Sequence, residues 1–266
     1  GGAKAAAHIG AVRAMTESGM TPVRFVATSM GAVIAAGLAS GVAGDELLRR
    51  LTEVGVRGIV RDRLAIIRGL FARSLLRPAP LRRAIAALVP ARRFADLAVP
   101  LTVSVTDLDS GELLLFGAGG RDAPLLEVLA ATTALPLYYP PVQLEGRRCG
   151  DGGLRGVLPI ETAVHLGNEP IVAVDVGPGF EAAADAELPS TPPLLRAHDE
   201  AVGTLMAAHT QEQLARWRAE AGRPPLIYVR PTIERYATFR VERMQEYAEQ
   251  GYRAARDALA RQTART

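Results

Sequence analysis

With 266 residues, 48% of them hydrophobic and 22% charged, the chain can bury the core of one large globular domain, and no apolar stretch approaches the ~20 residues of a membrane-crossing helix. A formal charge of +3 and 5% aromatic residues supply neither the basic field nor the stacking surfaces of a nucleic-acid-binding protein. One cysteine, Cys149, excludes an internal disulfide framework, and four histidines without metal-ligand spacing point to no metal and no cofactor.

Gly1-Gly2-Ala3-Lys4 stands directly before a helical run from Ala5 to Met15. A glycine-rich entry into a helix offers free N–H groups and the positive end of the dipole, which suit a phosphate or an oxyanion. No Gly-Lys-Ser/Thr follows and no complete G-x-G-x-x-G is present, so the nucleotide reading lacks its motif. The chain starts without methionine and without a strand ahead of these glycines, so a first strand is expected to be missing.

Next comes a short strand, Phe25-Val26-Ala27, running into Ala27-Thr28-Ser29-Met30-Gly31 and a small-residue helix to about Ser40. A serine on a tight strand-to-helix turn needs small side chains two positions before and two after, and Ala27 and Gly31 meet that need. Such a turn sets the Ser29 hydroxyl at a helix N-terminus, where free amides favour developing negative charge. The same small-Ser-small pattern also arises by chance in a chain with 26 glycines, so its weight comes from the motifs around it.

The segment Arg57 to Arg93 carries ten arginines against one acid, Asp62, interleaved with Ile, Leu and Phe. It reads as an amphipathic cap, and two roles stay open: a face for an anionic membrane surface, or a helix packed on the domain with solvated arginines. Leu101 to Thr106 and Glu112 to Phe116 flank Asp107-Leu108-Asp109-Ser110-Gly111 and read as a hairpin. A helix over 127–133 precedes Pro140-Pro141-Val142-Gln143-Leu144, a turn at Glu145-Gly146, and Gly150-Asp151-Gly152-Gly153. Asp151, with glycines permitting close backbone approach, is the candidate base for Ser29; Asp-Gly-Gly alone is equally common turn chemistry. The remainder alternates: helix 160–166, strand 171–176, a loop over 180–193, helix 201–221, strand 226–230 and helix 241–260. The expected fold is therefore α/β, a mostly parallel sheet with helices on both faces and one antiparallel hairpin, in a single domain.

His8, His165, His198 and His209 all fall in or beside helices rather than on a late loop after a strand, where a Ser-Asp-His arrangement would need one. A Ser29–Asp151 pair fits better. The ordered set of Gly1-Gly2-Ala3-Lys4 with His8-Ile9-Gly10, the Ser29 turn, Leu135-Pro136 with Pro140-Pro141-Val142, and Asp151-Gly152-Gly153-Leu154 with Leu158-Pro159-Ile160 resembles the bacterial patatin-like phospholipases. The likeness continues through Val172 to Val176, Tyr228-Val229-Arg230-Pro231 and Gln250-Gly251-Tyr252, covering all but the first strand.

That resemblance implies hydrolysis of lipid acyl esters through an acyl-enzyme, with Ser29 as nucleophile and Asp151 as base. It also implies Gly1, Gly2 and Ala3 as the oxyanion loop, Lys4 at its basic position, and Ala27, Gly31, Gly152 and Gly153 as turn support. Departures from the usual pattern are Ala5 and Ala27 for glycines, Thr132 for serine, Leu137 for glycine, and Gly156-Val157 for an Asn pair. Two alternatives stand beside the lipid hydrolase: a soluble carboxylesterase or thioesterase using the same pair, and a catalytically silent lipid- or anion-binding module. The expected location is cytoplasmic or peripheral to a membrane.

Overall fold

The computed structural model of the chain describes residues 2–58, 74–179, 193–234 and 240–263. In chain order the elements run α1 (Ala6–Glu17), β1 (Phe25–Thr28), α2 (Ser29–Ala39), α3 (Gly44–Gly58), α4 (Pro78–Leu88), β2 (Leu101–Asp107), β3 (Leu113–Gly117) and α5 (Leu125–Thr132). They continue with β4 (Val142–Leu144), β5 (Arg147–Asp151), α6 (Ile160–Leu166), β6 (Ile171–Val174), α7 (Pro193–Ala219), β7 (Leu226–Val229) and α8 (Met244–Thr263). The chain is a mixed α/β fold, as its alternating pattern predicts. Its residues form two compact units, Pro22–Arg155 on one hand and Gly1–Thr21 with Gly156–Thr266 on the other.

In Pro22–Arg155 the organising strand is β2, buried along its whole length. Its sequence, Leu-Thr-Val-Ser-Val-Thr-Asp, alternates apolar and hydroxyl side chains, so the period of two puts Thr102, Ser104 and Thr106 on one face. Along one edge β3 pairs antiparallel, from Thr102↔Gly117 to Thr106↔Leu113. The other edge is shared. There β1 runs parallel, from Phe25↔Leu101 to Thr28↔Ser104, and β5 follows antiparallel, from Val105↔Asp151 to Asp107↔Cys149. The two strands thus approach head to head, and their C-terminal ends stop beside consecutive β2 residues.

The expected hairpin forms as β2–β3, and a second joins β4 to β5. The latter turns on Glu145 (φ 49°) and Gly146 (φ 78°), the paired positive angles whose twist matches that of a two-residue hairpin. Around the sheet, α2 buries Ala32, Val33, Ile34, Ala36 and Ala39. A Cβ on Gly37 would lie 2.8 Å from a Leu47 methyl of α3, so small residues permit this helix contact. Pro at the first turn starts α4, which buries Ile85 and Leu88, and its Arg82 pairs with Glu127 of α5 at 2.7 Å. This described part of the basic 57–93 segment is therefore an amphipathic helix packed on the unit, while residues 59–73 lie outside the described residues. Leu137, at a position where the resembling family commonly has glycine, takes the left-handed φ of 73° and remains 40% exposed.

In the other unit, β6 and β7 pair in parallel from Ile171↔Leu226 to Val174↔Val229. Ala11, Ala14, Ile227, Val229, Ala255 and Leu259 form the core on one face, contributed by α1, β7 and α8. Leu158, Ile160, Ala173, Leu214 and Trp217 form it on the other, so helices cover both faces. The expected loop over 180–193 falls outside the described residues up to 192, and α7 begins at Pro193 rather than Ala201.

Helices α1 and α8 cross backbone to backbone at two glycines. A Cβ on Gly10 would lie 1.8 Å from the Ala248 carbonyl oxygen, and one on Gly251 2.0 Å from that of Ala7. Gly10→Ala or Gly251→Ala should each lower stability by about 1–3 kcal/mol, despite alanine's better helix propensity, when measured by urea unfolding. Wild-type stability in either variant would show that the crossing relaxes freely.

Candidate active site

Ser29 sits where the sequence pattern predicts, at the junction of β1 and α2. Thr28 before it is extended, at φ −134° and ψ 145°, and Ser29 itself takes φ 55°. A left-handed backbone costs a serine about 1–2 kcal/mol, and the reversal it produces turns the side chain out of the sheet at the head of α2. Ala27 lies in β1 and Gly31 in the first turn of α2, flanking this reversal.

Opposite the turn, β5 delivers Asp151. The Ser29 hydroxyl donates to Asp151 Oδ2 at 2.7 Å, and the Gly153 N–H donates to Oδ1 at 2.8 Å. Both carboxylate oxygens are therefore engaged. The backbone of Asp151 is fixed as well: its N–H donates to the Ala134 carbonyl at 3.0 Å, and its carbonyl accepts from Thr106 Oγ1 at 2.8 Å. Gly152 permits the approach to β2, since a Cβ there would fall 2.2 Å from the Ser104 carbonyl oxygen.

Asp151 is 5% exposed, and burial raises its carboxyl from near 4 to about 6, against the opposing pull of the hydrogen bonds from Ser29 and Gly153. Close to neutral pH it is a stronger base than a solvated carboxylate yet still ionised, which is the condition for taking a proton from a hydroxyl. All four histidines belong to the other unit, His8 in α1, His165 in α6, and His198 and His209 in α7. Burial lowers the pKa of His8 to about 4, leaving it neutral at pH 7.

Gly2, Ala3 and Lys4 also belong to that other unit. They form one 3-10 turn, Gly2–Ala5, leading into α1, in which Gly2 has φ 62° and Ala3 and Lys4 are buried. Gly1 lies outside the described residues.

The sequence profile of the patatin-like phospholipases matches residues 1–164, more than half of the chain and the stretch that contains both Ser29 and Asp151. The chain belongs to the patatin-like phospholipase family. Among patatin-like relatives, an uncharacterized NTE family protein of Mycobacterium tuberculosis is 31% identical over 189 residues, 70% of this chain and 50% of that protein. Human patatin-like phospholipase domain-containing protein 6 is 28% identical over 185 residues, 66% of this chain and 13% of that protein. This patatin-like chain thus spans half or less of the length of these two relatives. VipD from Legionella pneumophila superposes with a TM-score of 0.49 at 14% identity, covering 98% of this chain and 65% of that one.

Sequence reasoning passed over the hydroxyls that brace this patatin-like site. Thr132 Oγ1 accepts the Ser29 N–H at 2.9 Å and donates to the Ser104 carbonyl at 2.7 Å. Ser104 Oγ in turn bonds Thr28 Oγ1 at 2.5 Å. The available signal was the polar alternation of β2, because buried hydroxyls on a central strand require partners.

A carboxyl whose pKa is raised by folding weakens the fold as pH climbs through that value; below about pH 4 both states carry the proton and the difference vanishes. Asp151→Asn, whose amide can accept from Gly153 and donate to Ser29, should therefore be more stable than wild type at pH 8. The expected gain is on the order of 2–3 kcal/mol, shrinking toward zero at pH 4, by denaturant titration at both pH values. An unchanged difference between the two pH values would show that Asp151 is not desolvated in solution.

Proposed function

We propose that the chain is a serine acyl-hydrolase cleaving lipid acyl esters, of phospholipase A or lipid acyl hydrolase type, through a Ser29–Asp151 dyad. The observation that carries this reading is the 2.7 Å hydrogen bond from Ser29 Oγ, on a left-handed turn, to the buried Asp151 carboxylate. Family membership supports lipid acyl hydrolysis in general; the dyad supports the specific route. The family match runs through parts of both compact units, which favours treating the chain as one patatin-like domain.

In the first half-reaction Asp151 takes the Ser29 proton as Oγ bonds to the ester carbonyl carbon. The tetrahedral oxyanion calls for backbone N–H donors, the role that the family resemblance gives to Gly1, Gly2 and Ala3, with Lys4 at the basic position of that motif. Collapse expels the alcohol, which takes the proton from Asp151, and leaves the acyl group on Oγ. Water then gives a proton to Asp151 and attacks the acyl carbon, and the proton returns to Oγ as the acid departs. No metal or cofactor enters these steps. Exposed Arg83 and Arg92, of the basic 57–93 run, suit the chain to an anionic lipid surface, a basic residue near such a surface adding about 1 kcal/mol of attraction. Among the described residues no helix is long and apolar enough to cross a membrane, so such binding would be peripheral.

The decisive experiment is labelling with a fluorescent fluorophosphonate. Labelling should disappear in Ser29→Ala and slow by about 100-fold or more in Asp151→Asn, as expected for loss of a general base. A folded wild type that does not label would favour the silent binding module instead. Vesicles of phosphatidylcholine with and without phosphatidylglycerol then separate lipid hydrolysis from a soluble esterase: release of fatty acid accelerated by the anionic lipid is expected, whereas activity confined to short soluble esters favours the esterase. The rate should also fall about tenfold per pH unit below pH 6, where Asp151 gains its proton.

A further inference from the structure

Ser29 is the first residue of α2, so its N–H has no partner within the helix, and its φ of 55° must be imposed from outside. The group that meets that N–H is the Thr132 hydroxyl, on the last residue of α5 and fully buried. Because Thr132 donates its own hydrogen to the Ser104 carbonyl, the lone pair facing Ser29 has a fixed direction on a fully buried side chain. Two residues on, the Ala134 carbonyl accepts the N–H of Asp151. Between them, Thr133 Oγ1 donates back to the Leu129 and Ala130 carbonyls at 2.8 and 3.1 Å, so its side chain is tied to its own helix end. One three-residue stretch therefore holds the backbones of both Ser29 and Asp151.

We propose that Thr132 is a positioning residue: its hydroxyl sets the backbone of Ser29, and residues 132–134 act as a clamp that fixes the distance between Ser29 Oγ and the Asp151 carboxylate. The inference rests on Ser29 being the nucleophile. Replacing the hydroxyl by a methyl, as in Thr132→Val, keeps the side-chain volume but leaves the Ser29 N–H without its acceptor and the Ser104 carbonyl without this donor. The turn then relaxes and Oγ drifts from its base, while the side-chain volume packed at this position stays as it was.

The test compares wild type, Thr132→Val and Thr132→Ser for hydrolysis of p-nitrophenyl butyrate and for the rate of fluorophosphonate labelling, at a temperature where circular dichroism shows all three folded. Thr132→Val should lose about 10- to 100-fold in kcat, in line with the cost of misplacing a reacting group, with KM within about twofold and labelling slowed in parallel. Thr132→Ser, which keeps the hydroxyl and drops the methyl, should return kcat to within about threefold of wild type. Equal kcat in the Val and Ser variants would overturn the proposal, as would a Val variant as active as wild type. Should the Val variant not fold, Thr132→Ala against Thr132→Ser carries the same comparison: a slow Ala variant with an active Ser variant supports the clamp, and equal rates overturn it. Wild type that labels at Ser29 while every Thr132 variant labels equally fast would remove the clamp and leave the dyad standing. Wild type that does not label would remove the dyad and the clamp together.

Discussion

The arrangement on which the site depends is the sharing of one edge of β2 by two strands that meet head to head. Parallel β1 uses the first half of that edge and antiparallel β5 the second, so Thr28 and Asp151 end beside Ser104 and Val105. Neither end can shift alone. A one-residue slip of β1 would move its side chains to the opposite face and carry Ser29 away from the carboxylate, and a slip of β5 would do the same to Asp151. Two β2 hydroxyls secure this register, Thr106 holding the carbonyl of Asp151 and Ser104 binding Thr28, and the Ser104 backbone carbonyl accepts from Thr132. Gly152, with room for no side chain against the Ser104 carbonyl, lets β5 end so close to β2.

The site sets two requirements against each other. Burial is what lifts the Asp151 carboxyl into the range of a useful base, and the same burial makes its charge costly to the fold. The hydrogen bonds from Ser29 and the Gly153 amide offset part of that cost. They differ in kind: one comes from a side-chain hydroxyl and the other from a backbone amide fixed by the turn that follows β5. A carboxylate held at one oxygen by a backbone donor keeps its orientation whatever the Ser29 hydroxyl does.

Much of this was legible in the sequence because the informative features are local. The reversal at Ser29 announces itself by small residues at 27 and 31, and the helices over 29–39 and 160–166 follow from residue composition and spacing within a few turns. Asp151 was legible as a candidate because glycines flank it. What sequence could not supply was pairing. The β4–β5 hairpin rests on a turn, Glu145-Gly146, in which a glutamate takes a conformation it rarely adopts, and β4 is only Val142–Leu144. Thr132 appeared only as a departure from the resembling family, since its partners are 28 and 103 positions away. The start of α7 was misjudged because Pro193 through Glu200 mixes proline, charge and leucine without a clear stripe.

Those long separations bear on how the protein reaches its native state. Thr28 and Ser104 are 76 residues apart, and Ser29 and Asp151 122, so the entropy of closing large loops is spent before either contact returns anything. Topologies dominated by distant pairings fold slowly, and an edge of β2 that waits for both β1 and β5 is exposed until the second arrives. The Ser29–Asp151 contact therefore closes late in its unit, and its appearance during refolding is a clock for completion of the sheet rather than for collapse.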